Sequence, residues 1–336
     1  MVEVRRPRPA AARVASPPVT QADEQVVLVE VVRSGFVEGR HRGSVVAVDP
    51  VGAVLFAYGD TTSPVFPRSC NKPLQAAAMV RLGLDLPPDL LALACASHSG
   101  EPFHLEAVRR ILAGAGLDES ALQTPPDWPL GDPEREAAIR GGRRLPVLMN
   151  CSGKHAAMLA TCVVRGWDIE TYPSPTHPLQ AAIALTVADL TGEPVAAVGV
   201  DGCGAPLLST SLSGLARAFA HVQAAAAGTA EAQVAAAVRA YPEHVSGTSR
   251  DEAVLLRALP GAIGKAGAEA CYVVALPDGS AVALKIDDGG ARARPVVMAA
   301  ALRALGVDHP VLDELGRPPV LGGGRPVGTT RAVWPG

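Results

Sequence analysis

Two β-hairpin signals, one toward each end of the sequence, most restrict the folds open to this chain. Residues 43–59 form an apolar run divided by Asp49-Pro50-Val51-Gly52, and residues 271–287 form another divided by Pro277-Asp278-Gly279. Apolar, β-branched runs separated by Pro, Asp and Gly are typical of antiparallel hairpins. We expect both ends of the chain to share one antiparallel sheet that is interrupted by the segment between them.

That central segment has the 3.6-residue apolar spacing of helices. It predicts helices over residues 74–82, 89–96, 104–113, 155–165, 178–190, 212–226 and 231–240, and one more over 295–305. Three shorter stretches are also predicted. Residues 145–149 are expected to form an apolar strand, residues 197–204 a strand that enters a Gly-rich loop, and residues 125–133 a Pro-rich loop. The predicted fold class is α+β, with helices packed on the sheet and a central, mainly helical region.

The length of 336 residues, 48% of them hydrophobic, is enough to bury a substantial core. Residues 1–25 are rich in Pro, Ala and Arg and are predicted to be a disordered tail. Residues 26–336 are predicted to form a single domain, with sheet parts at about 26–66 and 262–336 and a helical part at about 67–261.

Composition excludes several kinds of partner. A net charge of −3 and 4% aromatic residues provide neither a basic surface nor stacking platforms for nucleic acid. No window approaches the roughly 20 apolar residues of a membrane span, and the N-terminus lacks the apolar core of a secretory signal. We therefore expect a cytoplasmic protein. Its six scattered cysteines favour free thiols over disulfides.

Lysine is scarce, because only four of the 30 basic residues are lysines, and each therefore merits inspection. A buried lysine can lose its proton and act as a base or metal ligand, whereas arginine stays charged. Ser69 and Lys72 form a Ser-x-x-Lys pair, in which a neutral lysine takes the serine proton. Pro73 predicts imperfect helical geometry there. Lys285, at a strand end, is expected to form an ion pair.

Two further elements follow Ser-x-x-Lys in the order found in penicillin-recognising enzymes. Ser97 opens Ser-His-Ser after an apolar helix, and Lys265 opens Lys-Ala-Gly before the second hairpin. Either could be accidental, and Ser97 alone could be a helix-end hydroxyl. Their joint occurrence between the hairpins is more specific than any single motif.

Cys151 and Lys154 lie three residues apart in Cys-Ser-Gly-Lys-His, and Cys203 lies in Asp-Gly-Cys-Gly. Two thiolates are a plausible part of a site for a soft divalent metal such as zinc. No Cys-x-x-Cys spacing is present, so ordinary buried cysteines remain the alternative.

Together the segments PRSCNKPLQ, CASHSGE, NCSGKHAAML, VDGCGAP, IGKAGAEACY and LKIDDG resemble the asparaginase II family of the Rhizobium etli type over about residues 25–330. The resemblance implies the fold of serine β-lactamases and glutaminases, an L-asparagine substrate and a homodimer. By position, Ser69 matches with Lys72 and Ser97 with Lys265 as two Ser–Lys pairs. Zinc ligands are matched by Cys151, Lys154 and Cys203.

The substrate implied by this resemblance carries one charge of each sign, so Arg68 and Asp201 are candidates to bind its carboxylate and its amino group. The prediction is an L-asparaginase that forms an acyl-enzyme on Ser69 with Lys72 as general base, while Ser97 and Lys265 relay protons to the leaving ammonia. Two alternatives remain, a glutaminase or β-lactam hydrolase on the same fold and a non-catalytic zinc or thiol protein.

Overall fold

A computed structural model describes residues 26–333 and shows a mixed α+β architecture, which confirms the predicted fold class. The predicted tail, residues 1–25, lies outside the described residues. The strands are β1 Val26–Arg33, β2 Phe36–Val48, β3 Val54–Tyr58, β4 Val198–Val200, β5 Pro206–Leu208, β6 Ile263–Ala266, β7 Cys271–Ala275, β8 Ala281–Ile286, β9 Pro319–Gly322 and β10 Arg325–Ala332.

The predicted helices are all present, with ends shifted by a few residues. The helices are α1 Lys72–Arg81, α2 Pro88–Ala94, α3 Pro102–Gly114, α4 Asp132–Arg140, α5 Ser152–Arg165, α6 Pro178–Thr191, α7 Leu212–Ala224, α8 Ala230–Ala240, α9 Pro242–Val245, α10 Asp251–Ala258, α11 Ala293–Ala304 and α12 Val311–Gly316. Several begin with Pro in the first turn, where its missing N–H has no intrahelical partner to lose.

One antiparallel sheet joins the two ends of the described chain. Its strand order is β6-β7-β8-β2-β1-β10-β9, and β3 pairs with the second half of β2. Both predicted hairpins, β2–β3 and β7–β8, are confirmed. The register of β1 on β10 places Val31 opposite Thr330, so the first and last described strands are neighbours, as expected.

Helices cover the sheet where the site is built. Strand β7 is buried at every position, and helices α7 and α11 both contact β7 and β8. A strand without an exposed face must be covered on both sides. In the helical region, α5 packs closely on α2 because Gly153 lacks a side chain, since a Cβ there would lie 2.6 Å from Leu93 Cγ.

Two of the sequence predictions are wrong and one loop is shorter than expected. Residues 145–149 do not form a strand, because Pro146 begins a 3-10 helix, Pro146–Leu148, and proline has no N–H to donate to a ladder. The Pro-rich loop ends where α4 begins at Asp132. Lys285 forms no ion pair with any residue in the described range 26–333, and its Nζ instead donates to the carbonyl oxygens of Glu269 and Ile286, at 3.0 and 3.3 Å.

All six cysteines are free and buried, which confirms the expectation of thiols. Within residues 26–333 none of the helices combines the length and apolar character that crossing a membrane requires.

Candidate active site

Ser69 lies in a strained turn that leads into α1. Residues Arg68–Asn71 form a 3-10 helix, and regular helix begins only at Lys72, with Pro73 in its first turn, as Pro73 predicted. Arg68 has φ +53°, a left-handed conformation that is uncommon outside glycine. Ser69 is 9% exposed, and its N–H belongs to a first turn, where donors lack intrahelical partners.

Lys72 is buried and directs its amine toward the second serine. Its Nζ donates to Ser97 Oγ at 3.0 Å, to Cys151 Sγ at 3.1 Å and to the carbonyl oxygen of Ala96. Within the described range no side-chain hydrogen bond joins Lys72 to Ser69. The structure therefore joins Lys72 of the first motif to Ser97 of the second, while Ser69 stands one helical turn away.

Lys265 and Glu252 form an ion pair that is completely buried. The Nζ of Lys265 lies 2.9 and 3.0 Å from the two carboxylate oxygens of Glu252 and 2.8 Å from the carbonyl oxygen of Ala266. Burial lowers the pKa of Lys265, and the attraction of Glu252 opposes that shift. Across residues 26–333, Lys265 makes no hydrogen bond to Ser97, its predicted partner.

The edge of β6 closes around the Ser69 turn. Cys70 Sγ donates to the carbonyl oxygen of Lys265 at 3.1 Å. A Cβ on Gly267 would lie 2.6 Å from the carbonyl oxygen of Pro67 and 3.4 Å from the backbone nitrogen of Ser69. Glycine at 267 thus lets the turn carrying Ser69 lie against the sheet and keeps a side chain away from the Ser69 N–H.

A thiol cluster lies beside Lys72. One ligand atom from each of Cys151, Asp201 and Cys203 lies within 4.8 Å of the others, and Lys154 Nζ is 3.2 Å from Cys203 Sγ. The hydrogen bond from Cys151 lowers the pKa of the Cys203 thiol, although burial opposes it. Burial disfavours the Lys154 ammonium, but the two thiols and Asp201 outweigh it and raise its pKa.

The donor set of this cluster suits a zinc ion. Two thiol sulfurs and one amine converge, and a thiolate that already stabilises a positive charge would equally stabilise a divalent cation. Cys151, Lys154 and Cys203 are buried, and the side chain of Asp201 is 10% exposed. The structure thus brings the three predicted ligands, Cys151, Lys154 and Cys203, together from two distant segments.

Arg68 connects the Ser69 turn to this cluster. Its Nε and Nη2 lie 2.9 and 2.8 Å from Oδ1 of Asp201, and its Nη1 lies 3.7 Å from Oε1 of Glu269. The two residues proposed to bind the substrate's charges are therefore paired with each other.

The sequence analysis missed Glu252 and Glu269. Glu252 lies 13 residues before Lys265 on a different element, so no spacing rule connects the two. Glu269 lies four residues after Lys265, in a segment where the lysine is the residue that suggests chemistry. Nothing in the sequence distinguishes these two glutamates from ordinary surface glutamates, since charged residues are usually exposed.

Comparison with known proteins places the chain among the amidohydrolases. The L-asparaginase II family profile matches residues 29–332, so the chain belongs to that family. This confirms the resemblance seen in the sequence. No match was found among the curated proteins.

Several solved structures are similar to the chain at low identity. A β-lactamase from Mycobacterium bovis is 17% identical with a TM-score of 0.44, covering 79% of this chain and 95% of its own. A Bacillus glutaminase is 10% identical with a TM-score of 0.35, covering 77% and 91%. EstCE1, described as a hydrolase with promiscuous acyltransferase activity, is 13% identical with a TM-score of 0.39, covering 82% and 93%.

Proposed function

We propose that this protein is an L-asparaginase, which hydrolyses the side-chain amide of L-asparagine to L-aspartate and ammonia through an acyl-enzyme on Ser69. Membership of the L-asparaginase II family supports an amide substrate. The observation that carries the proposed mechanism is the buried Lys72 amine, hydrogen-bonded to Ser97 at the base of the turn that holds Ser69.

In the first half-reaction, Ser69 Oγ attacks the amide carbonyl carbon while Lys72 Nζ takes its proton. The negative charge on the carbonyl oxygen is stabilised by backbone N–H groups of the turn, including that of Ser69. The C–N bond then breaks, and the departing nitrogen receives the proton from Lys72 through Ser97 Oγ, leaving as ammonia. The 3.0 Å contact between Lys72 and Ser97 provides that path.

In the second half-reaction a water molecule replaces ammonia. Lys72 takes a proton from the water, the resulting hydroxide attacks the ester carbon, and the ester bond to Ser69 breaks. Ser69 Oγ recovers a proton from Lys72, and L-aspartate leaves. We assign Lys265 to the same proton network, with Glu252 orienting its amine as a third group orients the base in other nucleophilic sites.

Substrate binding is assigned to the charged residues beside Ser69. Arg68 would hold the α-carboxylate of the substrate, and Asp201, which accepts a hydrogen bond from Arg68 at 2.9 Å, would orient its guanidinium. Zinc would be held by Cys151, Lys154 and Cys203, where a bound divalent cation supplies positive charge that orients the substrate.

The test is ammonia release from L-asparagine and L-glutamine, together with turnover of a chromogenic cephalosporin. Release from asparagine alone would support the proposal. Preferential release from glutamine, or cleavage of the cephalosporin, would assign the protein to the neighbouring hydrolase classes. No turnover of any of the three would favour the non-catalytic zinc or thiol protein.

We expect kcat/KM to rise between about pH 6 and about pH 9. A lysine accepts the serine proton only when neutral, so activity is lost as pH falls and the amine is protonated. Burial also lowers the pKa of Lys265, which we assign to the same proton network, so protonation of that amine at low pH would act in the same direction. Initial rates across this range measure the effect, and a flat profile would contradict a lysine base.

Metal removal is expected to weaken substrate binding more than chemistry. The purified protein should hold about one zinc per chain, and chelation should raise KM with a smaller change in kcat. Cys203→Ser should lower the zinc content measured by atomic absorption, whereas Cys162→Ser, which alters a free buried thiol on α5, should not. A chelator that lowers kcat and leaves KM unchanged would contradict the assigned role.

A further inference from the structure

Backbone strain is concentrated where Arg68 meets the segment after Lys265. Within residues 26–333, four non-glycine residues have positive φ, and three of them, Arg68, Glu269 and Ala270, lie at this contact. Such conformations persist only where the surroundings enforce them, and they are enriched at functional sites. The backbone at Glu269 is held in place, because its carbonyl oxygen accepts from Lys285 Nζ at 3.0 Å.

The two carboxylates that flank Arg68 differ in their capacity to accept a hydrogen bond from a ligand. Oδ1 of Asp201 accepts both short bonds from Arg68, and Oδ2 lies 3.7 Å from Cys203 Sγ, within the thiol cluster. Glu269 faces the opposite edge of the guanidinium at 3.7 Å, too far for a hydrogen bond, and its side chain is 61% exposed. Glu269 is therefore the carboxylate with free acceptor capacity beside Arg68.

An amino acid entering this place meets alternating charges. Its carboxylate would bind the open Nη1 edge of Arg68 and would then stand next to Glu269, where two negative charges repel. An α-ammonium group between them removes that repulsion and forms a charge-assisted hydrogen bond. A ligand with the same carboxylates but no ammonium would meet the repulsion uncompensated, which is how an unfavourable contact creates specificity.

We propose that Glu269 binds the α-ammonium group of the substrate and makes the site selective for zwitterionic α-amino acids over their deamino analogues. This inference rests on the proposed function, whose reaction it leaves unchanged. Glu269 is a specificity-determining residue, and it does not take part in bond making or breaking.

The experiment compares L-asparagine with succinamate, which has the same amide and carboxylate and lacks the amino group. In Glu269→Gln we expect kcat/KM for asparagine to fall about tenfold, with succinamate unchanged or improved, because the charge-assisted bond is lost and the repulsion relieved. Glu314→Gln, the same charge change at an exposed position on α12, should leave the ratio of the two substrates unaltered.

A second readout does not depend on turnover. L-aspartate and succinate differ only in the amino group, and the rise in melting temperature that each produces reports its binding. The preference for binding aspartate over succinate, judged from these two rises in melting temperature, should fall in Glu269→Gln by about the same factor as kcat/KM for asparagine. If both preferences survive in Glu269→Gln, the inference is wrong. Suppose that the wild-type protein hydrolyses no amide but prefers aspartate to succinate, and that Glu269→Gln lacks this preference. The proposed function then fails and the binding inference stands.

Discussion

Replacing Ser69 with alanine is expected to reduce hydrolysis of L-asparagine by roughly 10⁴-fold or more, because the acyl-enzyme can no longer form. The loss should occur without unfolding. Within residues 26–333, no protein group is hydrogen-bonded to the Ser69 hydroxyl, so its removal leaves no buried donor or acceptor unpaired. Ammonia release under steady-state conditions and the melting temperature together measure both effects.

The control is Ser63→Ala, which removes an exposed hydroxyl six residues earlier in the same connection and should leave the rate unchanged. Ser97→Ala should slow turnover without abolishing it, since the proton would then reach ammonia less directly. If Ser97→Ala were inactive while Ser69→Ala remained active, the nucleophile would be Ser97, whose Oγ already contacts Lys72. The mass of the trapped acyl-enzyme peptide would identify the modified serine independently.

Breaking the buried pair of Lys265 and Glu252 is expected to produce the largest change in stability. Both side chains are fully buried, and removal of one partner leaves the other charge without compensation. Lys265→Met should therefore lower the free energy of unfolding by about 3–5 kcal/mol. Chemical denaturation followed by circular dichroism measures this change, with the midpoint expected to fall and the m-value to remain constant.

The double variant Lys265→Met/Glu252→Leu separates stability from function. Replacing both charges with apolar groups removes the uncompensated charge, so the double variant should recover much of the lost stability. It should remain slow in hydrolysis, because the amine itself is gone. Glu119→Gln, in an exposed pair with Arg109, should change stability by less than about 1 kcal/mol. A double variant as unstable as the single one would show that packing at Lys265, rather than charge pairing, maintains the fold.

Local structure was largely readable in the sequence. The helices follow from apolar spacing and the two hairpins from Pro, Asp and Gly at their turns, because these signals act over a few neighbouring residues. Pro73 correctly indicated that α-helix does not extend through Ser69. The strand predicted at residues 145–149 is wrong because a short apolar run resembles a strand whether or not it forms one. The deciding feature is Pro146, which has no N–H to donate to a sheet.

The candidate residues also stand out in the sequence, since serine, lysine and cysteine are distinguished by type and, for lysine and cysteine, by scarcity. Their partners do not. Lys72 meets Ser97 across 25 residues, and Arg68 meets Asp201 across 133 residues. The close approach of α5 to α2 and of β6 to the Ser69 turn sets these contacts, and such packing depends on the shapes of many side chains together.

By itself, then, the sequence determined the kinds of helices and strands, a set of candidate reactive groups and membership of a family. Only the tertiary structure decided which amine faces which hydroxyl, that Glu252 neutralises Lys265, and that Glu269 faces Arg68. The physical reason is the separation along the sequence over which each kind of interaction acts. Periodicity and turn chemistry act within a few residues, whereas charge pairing in a core is settled by whichever groups burial brings together.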